Sequence, residues 1–381
     1  MSVEIRKVTS NTDLKTFITF PERLYGDNPN WVPAPVFDDL NTLRKDKNPA
    51  FEFCEAEYWT AWKDGTMVGR IAGIINHRYI EKWGNKYARF GWIDFIEDFE
   101  VASALVKTVE AWARDKGMTG VHGPLGFTDL DREGMLVEGF NEQATFATIY
   151  NFPYYPEYME RLGYKKDIDW IEFQVQTPDA IPEKVLRVNE ILAKRSGVRI
   201  YEWKNKKELV AKFADDIFEL IDEAYADLYG TTPLSRKQVE VYIKQYLGFV
   251  DPRFTKVLVD QNEKLVGFGI TVPNLSDALY KCKGRLFPLG WFWLLRALKK
   301  PSKIDMLLVA VKKEYMARGV VAILMTALNK SAIENGIKVS ETNPELETNY
   351  QVHGLWKDYP KRQHKRRRVY LRLLNNQEPV R

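Results

Sequence analysis

The stretch Met306–Met325, MLLVAVKKEYMARGVVAILM, decides how the rest of the chain is read. It opens on an unbroken apolar run and passes into a helical pattern, with Gly319 at the turn and Arg318 beside it. A strand that leads through a short loop into a helix presents backbone N–H groups and the positive end of the helix dipole to an anion. Glycine at that turn lets the backbone come close to a phosphate. A plain strand-to-helix turn with no ligand has the same layout, and the stretch alone does not separate the two.

Working outward, the stretch has a counterpart upstream. Val320–Gly336, VVAILMTALNKSAIENG, aligns with Val101–Gly117, VASALVKTVEAWARDKG. The strand MVGRIAGI (Met67–Ile74) aligns with LVGFGITV (Leu265–Val272), and turn signals precede both: Lys63-Asp64-Gly65 and Asp260-Gln261-Asn262. Leu24-Tyr25-Gly26 recurs as Leu228-Tyr229-Gly230. The alternating segments Val3–Val8 and Val198–Trp203 open the two copies. Each copy reads strand, helices, hairpin, strand, helix, strand, helix, strand. The expectation is an α/β fold of the α+β kind, a mixed sheet with helices on its faces, built twice. The prolines of QTPDAIPEK (Gln176–Lys184) mark the seam, which gives domains at 1–177 and 185–381. The second copy carries extra residues between strand and helix, within 273–303.

The bulk numbers agree with two domains. The chain has 381 residues, 45% of them apolar, enough to bury a sizeable core. Its net charge of +4 does not argue for nucleic acid. Two distant cysteines and four scattered histidines give neither a disulfide framework nor metal spacing, so no metal is expected. The N-terminus lacks the apolar core of a signal peptide, which predicts a reducing, cytoplasmic setting.

The loop at Met316–Val321 resembles that of the GNAT acyltransferase superfamily, Gln/Arg-x-x-Gly-x-Gly/Ala. Gly319 matches, while Met316 and Val321 depart from it. Tyr350 lies four residues before Gly354, as the family's tyrosine does; Met159 takes that place before Gly163 in the first copy. The segment Gly123–Trp170 is similar to tandem GNAT proteins that include bacterial ceramide synthases. Ser340–Pro344, SETNP, is similar to their Glu-Asp-Asn, keeping Glu341 and Asn343 but with Thr342 between. The resemblance covers most of the chain. It implies two tandem GNAT-like domains and an N-acyltransferase that uses acyl-CoA (or acetyl-CoA) as co-substrate. It places CoA in the second copy, on Val309, Val311, Arg318, Gly319, Val320 and Ala322. In the first copy the acidic DFIEDFE (Asp94–Glu100) would repel a pyrophosphate. Tyr350 is then the general acid, Glu341 the base or amine-orienting carboxylate and Asn343 an orienting amide. Packing of a helix on the sheet is the other reading of Tyr350, and turn or cap roles that of Glu341 and Asn343. A small molecule or a lipid amine such as a sphingoid base is the expected acceptor. Two rivals stand beside this reading: a non-enzymatic acyl-CoA or lipid-binding pseudoenzyme, favoured by the damaged loop, and an aminoacyl-tRNA-dependent tandem transferase.

Two further stretches bear on lipid. LFPLGWFWLLRALKK (Leu286–Lys300) is too short to span a bilayer, which needs about 20 apolar residues. Trp291, Trp293 and Leu294 suit a lipid-binding wall or a membrane interface, and a core helix is the alternative. A peripheral contact at the inner membrane face follows from the former. The basic block KRQHKRRRVYLR (Lys361–Arg372) reads either as a solvated loop running into a last strand or as an attractor of anionic head groups or CoA phosphates.

Overall fold

The computed structural model describes residues 2–246 and 250–374. Among these described residues fourteen strands form one sheet. The first half supplies β1 (Glu4–Lys7), β2 (Cys54–Lys63), β3 (Thr66–Asn76), β4 (Tyr87–Phe95), β5 (Gly120–Gly123), β6 (Met135–Glu138) and β7 (Lys165–Gln176). The second supplies β8 (Arg199–Tyr201), β9 (Thr255–Val259), β10 (Leu265–Pro273), β11 (Lys303–Val311), β12 (Val339–Thr342), β13 (Glu345–Leu346) and β14 (Lys361–Leu373). The helices of the first half are α1 (Asn11–Tyr25), α2 (Val36–Leu43), α3 (His77–Trp83), α4 (Phe99–Asp115) and α5 (Tyr154–Arg161). Those of the second are α6 (Glu183–Ser196), α7 (Lys206–Ala224), α8 (Arg236–Tyr246), α9 (Ser276–Cys282), α10 (Gly290–Lys299), α11 (Lys313–Met316), α12 (Val320–Glu334) and α13 (Tyr350–Leu355).

The order across the sheet is β1-β2-β3-β4-β5-β14-β7-β12-β11-β10-β9-β8. Its two arms repeat one plan. An antiparallel meander ends in a single parallel step, β4 to β5 or β11 to β12, crossed by α4 or α12. The helices pack closely because glycine lies beneath them. A Cβ at Gly69 of β3 would meet Leu105 of α4 at 2.8 Å, and one at Gly269 of β10 would meet Leu328 of α12 at 2.9 Å.

The two closing strands are exchanged. β14, from the far end of the chain, enters the first arm between β5 and β7. β7, the last strand of the first half, pairs with β12 of the second. The seam near residue 180 therefore divides the chain in sequence but not in the sheet. The exchange also corrects the solvated-loop reading of the basic block. Residues 361–373 are strand throughout, and Lys365 and the five arginines are matched to carboxylates. Arg367 and Lys365, both buried, pair with the buried Glu172 of β7. Arg366 and Arg368 pair with the buried Asp169.

In each arm the parallel pair holds for only a few residues. β4 and β5 pair over Tyr87–Arg89, and β11 and β12 over Lys303–Met306. Beyond that the strands part. The first gap is filled by the chain itself: Leu125 N donates to Phe90 O, and the Leu125 carbonyl would sit 2.4 Å from a Cβ at Gly91. The second gap opens into a cavity. No helix among the described residues is long and apolar enough to cross a membrane.

Residues 1–177 produced alone lack the strand that lies between β5 and β7 and leave both edges unpaired. Such a fragment is expected to give collapsed amide chemical-shift dispersion or to aggregate. A cooperative, well-dispersed fragment would contradict the exchange.

Candidate functional site

A cavity of about 350 Å³ lies between the halves. Its floor is the parted end of β11 (Met306–Val309) with Gly269–Thr271 of β10. Its roof is α7, which turns Leu209, Ile217, Phe218 and Ile221 inward. This surface is apolar because α7 repeats its hydrophobic residues at helical spacing. Residues 343–346 close one end. The facing wall belongs to the first half: Asp38 and Asp39 of α2, and the loop from Asp129 to Glu133.

Two groups stand at the parting of β11 and β12. The Tyr225 hydroxyl, just past α7, donates to Val309 O at 3.1 Å and accepts from Val309 N at 3.4 Å. Burial pushes this phenol up to about 12, so it keeps its proton. Asn343 N donates to Met306 O at 3.0 Å, which pins the apex and sets Asn343 in the cavity lining.

Glu345 stands two residues further on. Its Oε1 accepts from Trp356 Nε1 at 2.8 Å. Its Oε2 is buried with no hydrogen-bond partner, and His353 Nε2 lies 3.7 Å from it. Burial raises the carboxyl to about 7, opposed by the Trp356 bond and the Lys361 charge. Burial also lowers the His353 imidazole. A carboxylate that titrates near neutrality on a cavity wall is suited to take up a proton.

The opposite wall is acidic. Asp38 is pushed up to about 7 by burial and then by neighbouring Asp39, and Gln245 donates to it. Asp131 rises to about 6 through burial, although Phe127 N and Thr128 N donate to it. Burial also raises Asp129 and, far more, Glu133. Asp39 pairs with Arg132 and also accepts from Trp92 Nε1 at 3.2 Å. Carboxyls desolvated beside an apolar channel favour a cationic or proton-bearing ligand at that wall.

The residues singled out from sequence divide among three places. Val309 and Asn343 line the cavity. Val311 and Val320 are buried in the core beside it, and Ala322 is exposed on α12. Gly319 is the N-cap of α12 with φ 73°, a left-handed conformation that glycine adopts without strain. No side chain caps this helix, but a Cβ at Gly319 would meet Leu192 of α6 at 2.9 Å. Arg318 is exposed, with its guanidinium 4.9 Å from the Tyr315 ring centroid. In the first half Asp98 occupies the matching helix start, accepting from Glu100 N and Val101 N and pairing with Lys63.

Tyr350 is 77% exposed and does not line the cavity, although Asn349 and Val352 on either side do. Glu341 is buried in the ion network, with Lys365 Nζ 3.4 Å away, and is likewise absent from the lining. Trp291, Trp293 and Leu294 lie outside the cavity on α10. Leu294 packs on the first half's core, Trp293 lies under Lys281 Nζ at 4.7 Å, and Trp291 faces solvent. Sequence reasoning missed Tyr225, Glu345 and the acidic wall. Glu345 could have been noticed as the carboxylate just after SETNP; Tyr225 carries no local signal.

No protein-family profile matches the chain. Over 373 residues it is 27% identical to Protein YghO of Escherichia coli (strain K12), covering 96% of this chain and 94% of that one. Over 375 residues it is 26% identical to the bacterial ceramide synthase of Caulobacter vibrioides (strain NA1000 / CB15N), covering 96% of each. Among solved structures it is similar to a tandem GNAT protein from the clavulanic acid biosynthesis pathway, with a TM-score of 0.57 and 11% identity over 99% of this chain and all of that one. It is also similar to a GCN5-related glucosamine N-acetyltransferase region of a fungal multi-domain β-N-acetylglucosaminidase, with a TM-score of 0.55 and 13% identity over 97% of this chain and 38% of that one. The fold is a tandem GNAT fold.

The raised Glu345 carboxyl makes a prediction that needs no substrate. Its folded pKa of about 7 exceeds the ordinary 4.5, so its ionisation opposes folding. Its contribution to stability is greatest below about 4.5 and is lost as pH rises to about 7. Glu345→Gln removes that loss. The variant should gain about 2–3 kcal/mol on wild type between pH 5 and pH 8, at about 1.4 kcal/mol per pKa unit. Urea denaturation at several pH values measures it; parallel curves would contradict the buried, partnerless carboxyl.

Proposed function

We propose that the chain is an acyl-CoA-dependent N-acyltransferase that acylates a lipid amine, a sphingoid base being the leading candidate. One observation carries the reading: a single cavity joins the opened end of β11, an apolar roof and a wall of desolvated carboxyls. These are the three surfaces that a thioester, a long chain and an amine each need. The likeness to the bacterial ceramide synthase supports the choice of acceptor. In this reading the second half holds the CoA, with the pyrophosphate at Gly319 and Arg318 and the start of α12. The protein works at the cytoplasmic face of a membrane, from which its acceptor is drawn.

The reaction needs little beyond positioning and two proton transfers. The Glu345 carboxylate takes a proton from the acceptor ammonium. The freed amine attacks the thioester carbonyl, forming the C–N bond and placing the charge on oxygen. In this reading the Tyr225 hydroxyl and the Val309 N–H exchange their bonds to each other for bonds to that oxyanion. Collapse breaks the C–S bond, and the second amine proton reaches the CoA thiolate through Tyr225, which gives one proton as it receives the other. Asn343 orients the amine. Tyr350, the acid expected from spacing, would need the first turn of α13 to swing inward. One observation favours the non-enzymatic reading: Leu192 covers Gly319 where the phosphate would approach. Binding of acyl-CoA then requires α6 to shift.

Incubation with palmitoyl-CoA and sphinganine, followed by mass spectrometry of the amide and thiol release, tests the reaction. Amide formation is expected; its absence with every amine offered, alongside retained acyl-CoA binding, would favour the pseudoenzyme. Glu345→Gln should lower kcat/KM by about 10²–10⁴-fold, and the wild-type rate should climb with pH through about 7. Tyr225→Phe should cost a similar factor and Tyr350→Phe little; the reverse order would restore Tyr350 as the acid. Gly319→Asp puts bulk and negative charge at the phosphate position, so calorimetry should register loss of acyl-CoA binding. Unchanged binding would remove CoA from this loop.

A further inference from the structure

Residues 278–300 form an outer surface made of part of α9, the following loop and α10. Three of their large apolar side chains are strongly exposed: Phe287 at 80%, Leu289 at 65% and Leu295 at 57%. Trp291, Phe292 and Leu286 are exposed beside them. The helix is anchored from within, since Leu294, Ala297 and Leu298 pack on the core of the first half. Its outer face is thus held in place rather than frayed. Phe37 extends the patch, because Val36 N donates to Gly284 O and brings α2 alongside. A monomer in water seldom leaves so many large apolar groups together on its surface without a partner.

The charge of the same element narrows the partner. Between Ala278 and Lys300 there is no Asp or Glu, while Lys281, Lys283, Arg285, Arg296, Lys299 and Lys300 supply six cations. Arg285 is paired with Glu22; Arg296, Lys299 and Lys300 are exposed beside the apolar face. Apolar and tryptophan side chains with cations at the rim match the boundary between acyl chains and anionic head groups. Contact between two copies through this patch would bring like cations together. The ten residues of α10 are too few to span a bilayer.

We propose that residues 278–300, with Phe37, dock the protein on an anionic lipid bilayer. The position of the surface suits the site. Lys283 and Val36 line a smaller cavity of about 80 Å³, and the Asp39, Trp92 and Arg132 of that cavity also line the large one. A lipid amine leaving the docked bilayer would enter here; that clause rests on the proposed acyl transfer, whereas the docking does not.

Flotation of the full chain with vesicles tests the docking without any turnover. Phosphatidylcholine vesicles containing about one-third phosphatidylglycerol should carry the protein up the gradient, and phosphatidylcholine alone should carry much less. The triple variants Phe287→Ser/Trp291→Ser/Leu295→Ser and Arg296→Glu/Lys299→Glu/Lys300→Glu should each bind the anionic vesicles about tenfold or more weakly. Both should melt as wild type does, because the altered side chains point outward. Failure of wild type to float would overturn the proposal, as would flotation of the serine variant equal to wild type. A soluble dimer that dissociates in the serine variant, with no flotation of wild type, would assign the patch to a second copy instead.

Discussion

The buried Glu172 holds the molecule together by facing two cations from the far end of the chain. Arg367 and Lys365 reach it from β14, and Lys365 also lies beside Glu341 of the second arm. A charge buried without a partner costs several kcal/mol, so a register that places these groups together excludes its neighbours. A slip of one residue would turn every cation of β14 to the other face of the sheet. The pairing thus fixes where β14 enters and, with it, how the two arms meet. The arms then face each other across the cavity at a set distance.

The two halves share a plan but not a task. In the first, Leu125 fills the parting of the strands and Asp98 caps the helix that starts beyond it. Both the parting and the helix start are occupied there by the chain's own groups. What the first half gives to the site is its acidic wall, carried on α2 and the loop at Asp129–Glu133. In the second half the parting stays open, and Tyr225 occupies the backbone groups of Val309. A repeat has become a division of labour: one copy keeps the groove and the other walls it.

The repeat was legible because turn signals and strand patterns are local, so Lys63-Asp64-Gly65 and Asp260-Gln261-Asn262 mark equivalent hairpins without reference to anything distant. The exchange of β7 and β14 was not legible, since pairing between strands so far apart leaves no periodicity in either. Only the complementary charges hinted at it, acids at Asp169 and Glu172 against the basic run at Lys365–Arg368. Of the site, Val309 and Asn343 lie in the lining, placed there by strand ends that a pattern can locate. Tyr350 is exposed and Glu341 is drawn into the ion network, since spacing along a chain does not say which way a side chain turns. Glu345 and the acidic wall acquire their character from burial, which becomes visible only when both halves are assembled. The apolar segment at Leu286–Lys300 was conspicuous in composition, yet only packing tells a cavity wall from an outer face.

The exchanged strand also sets the order of events during synthesis. β5 and β7 leave the ribosome long before β14, and the space between them cannot close until residues 361–373 have been made. The first half must wait as an open sheet, with two unpaired edges, through translation of the whole second half. Long-range pairings of this kind form slowly and are open to aggregation while they wait. A circular permutation that starts the chain at β8 and joins β14 to β1 would reverse this order, so that the closing strand is made before β5 and β7.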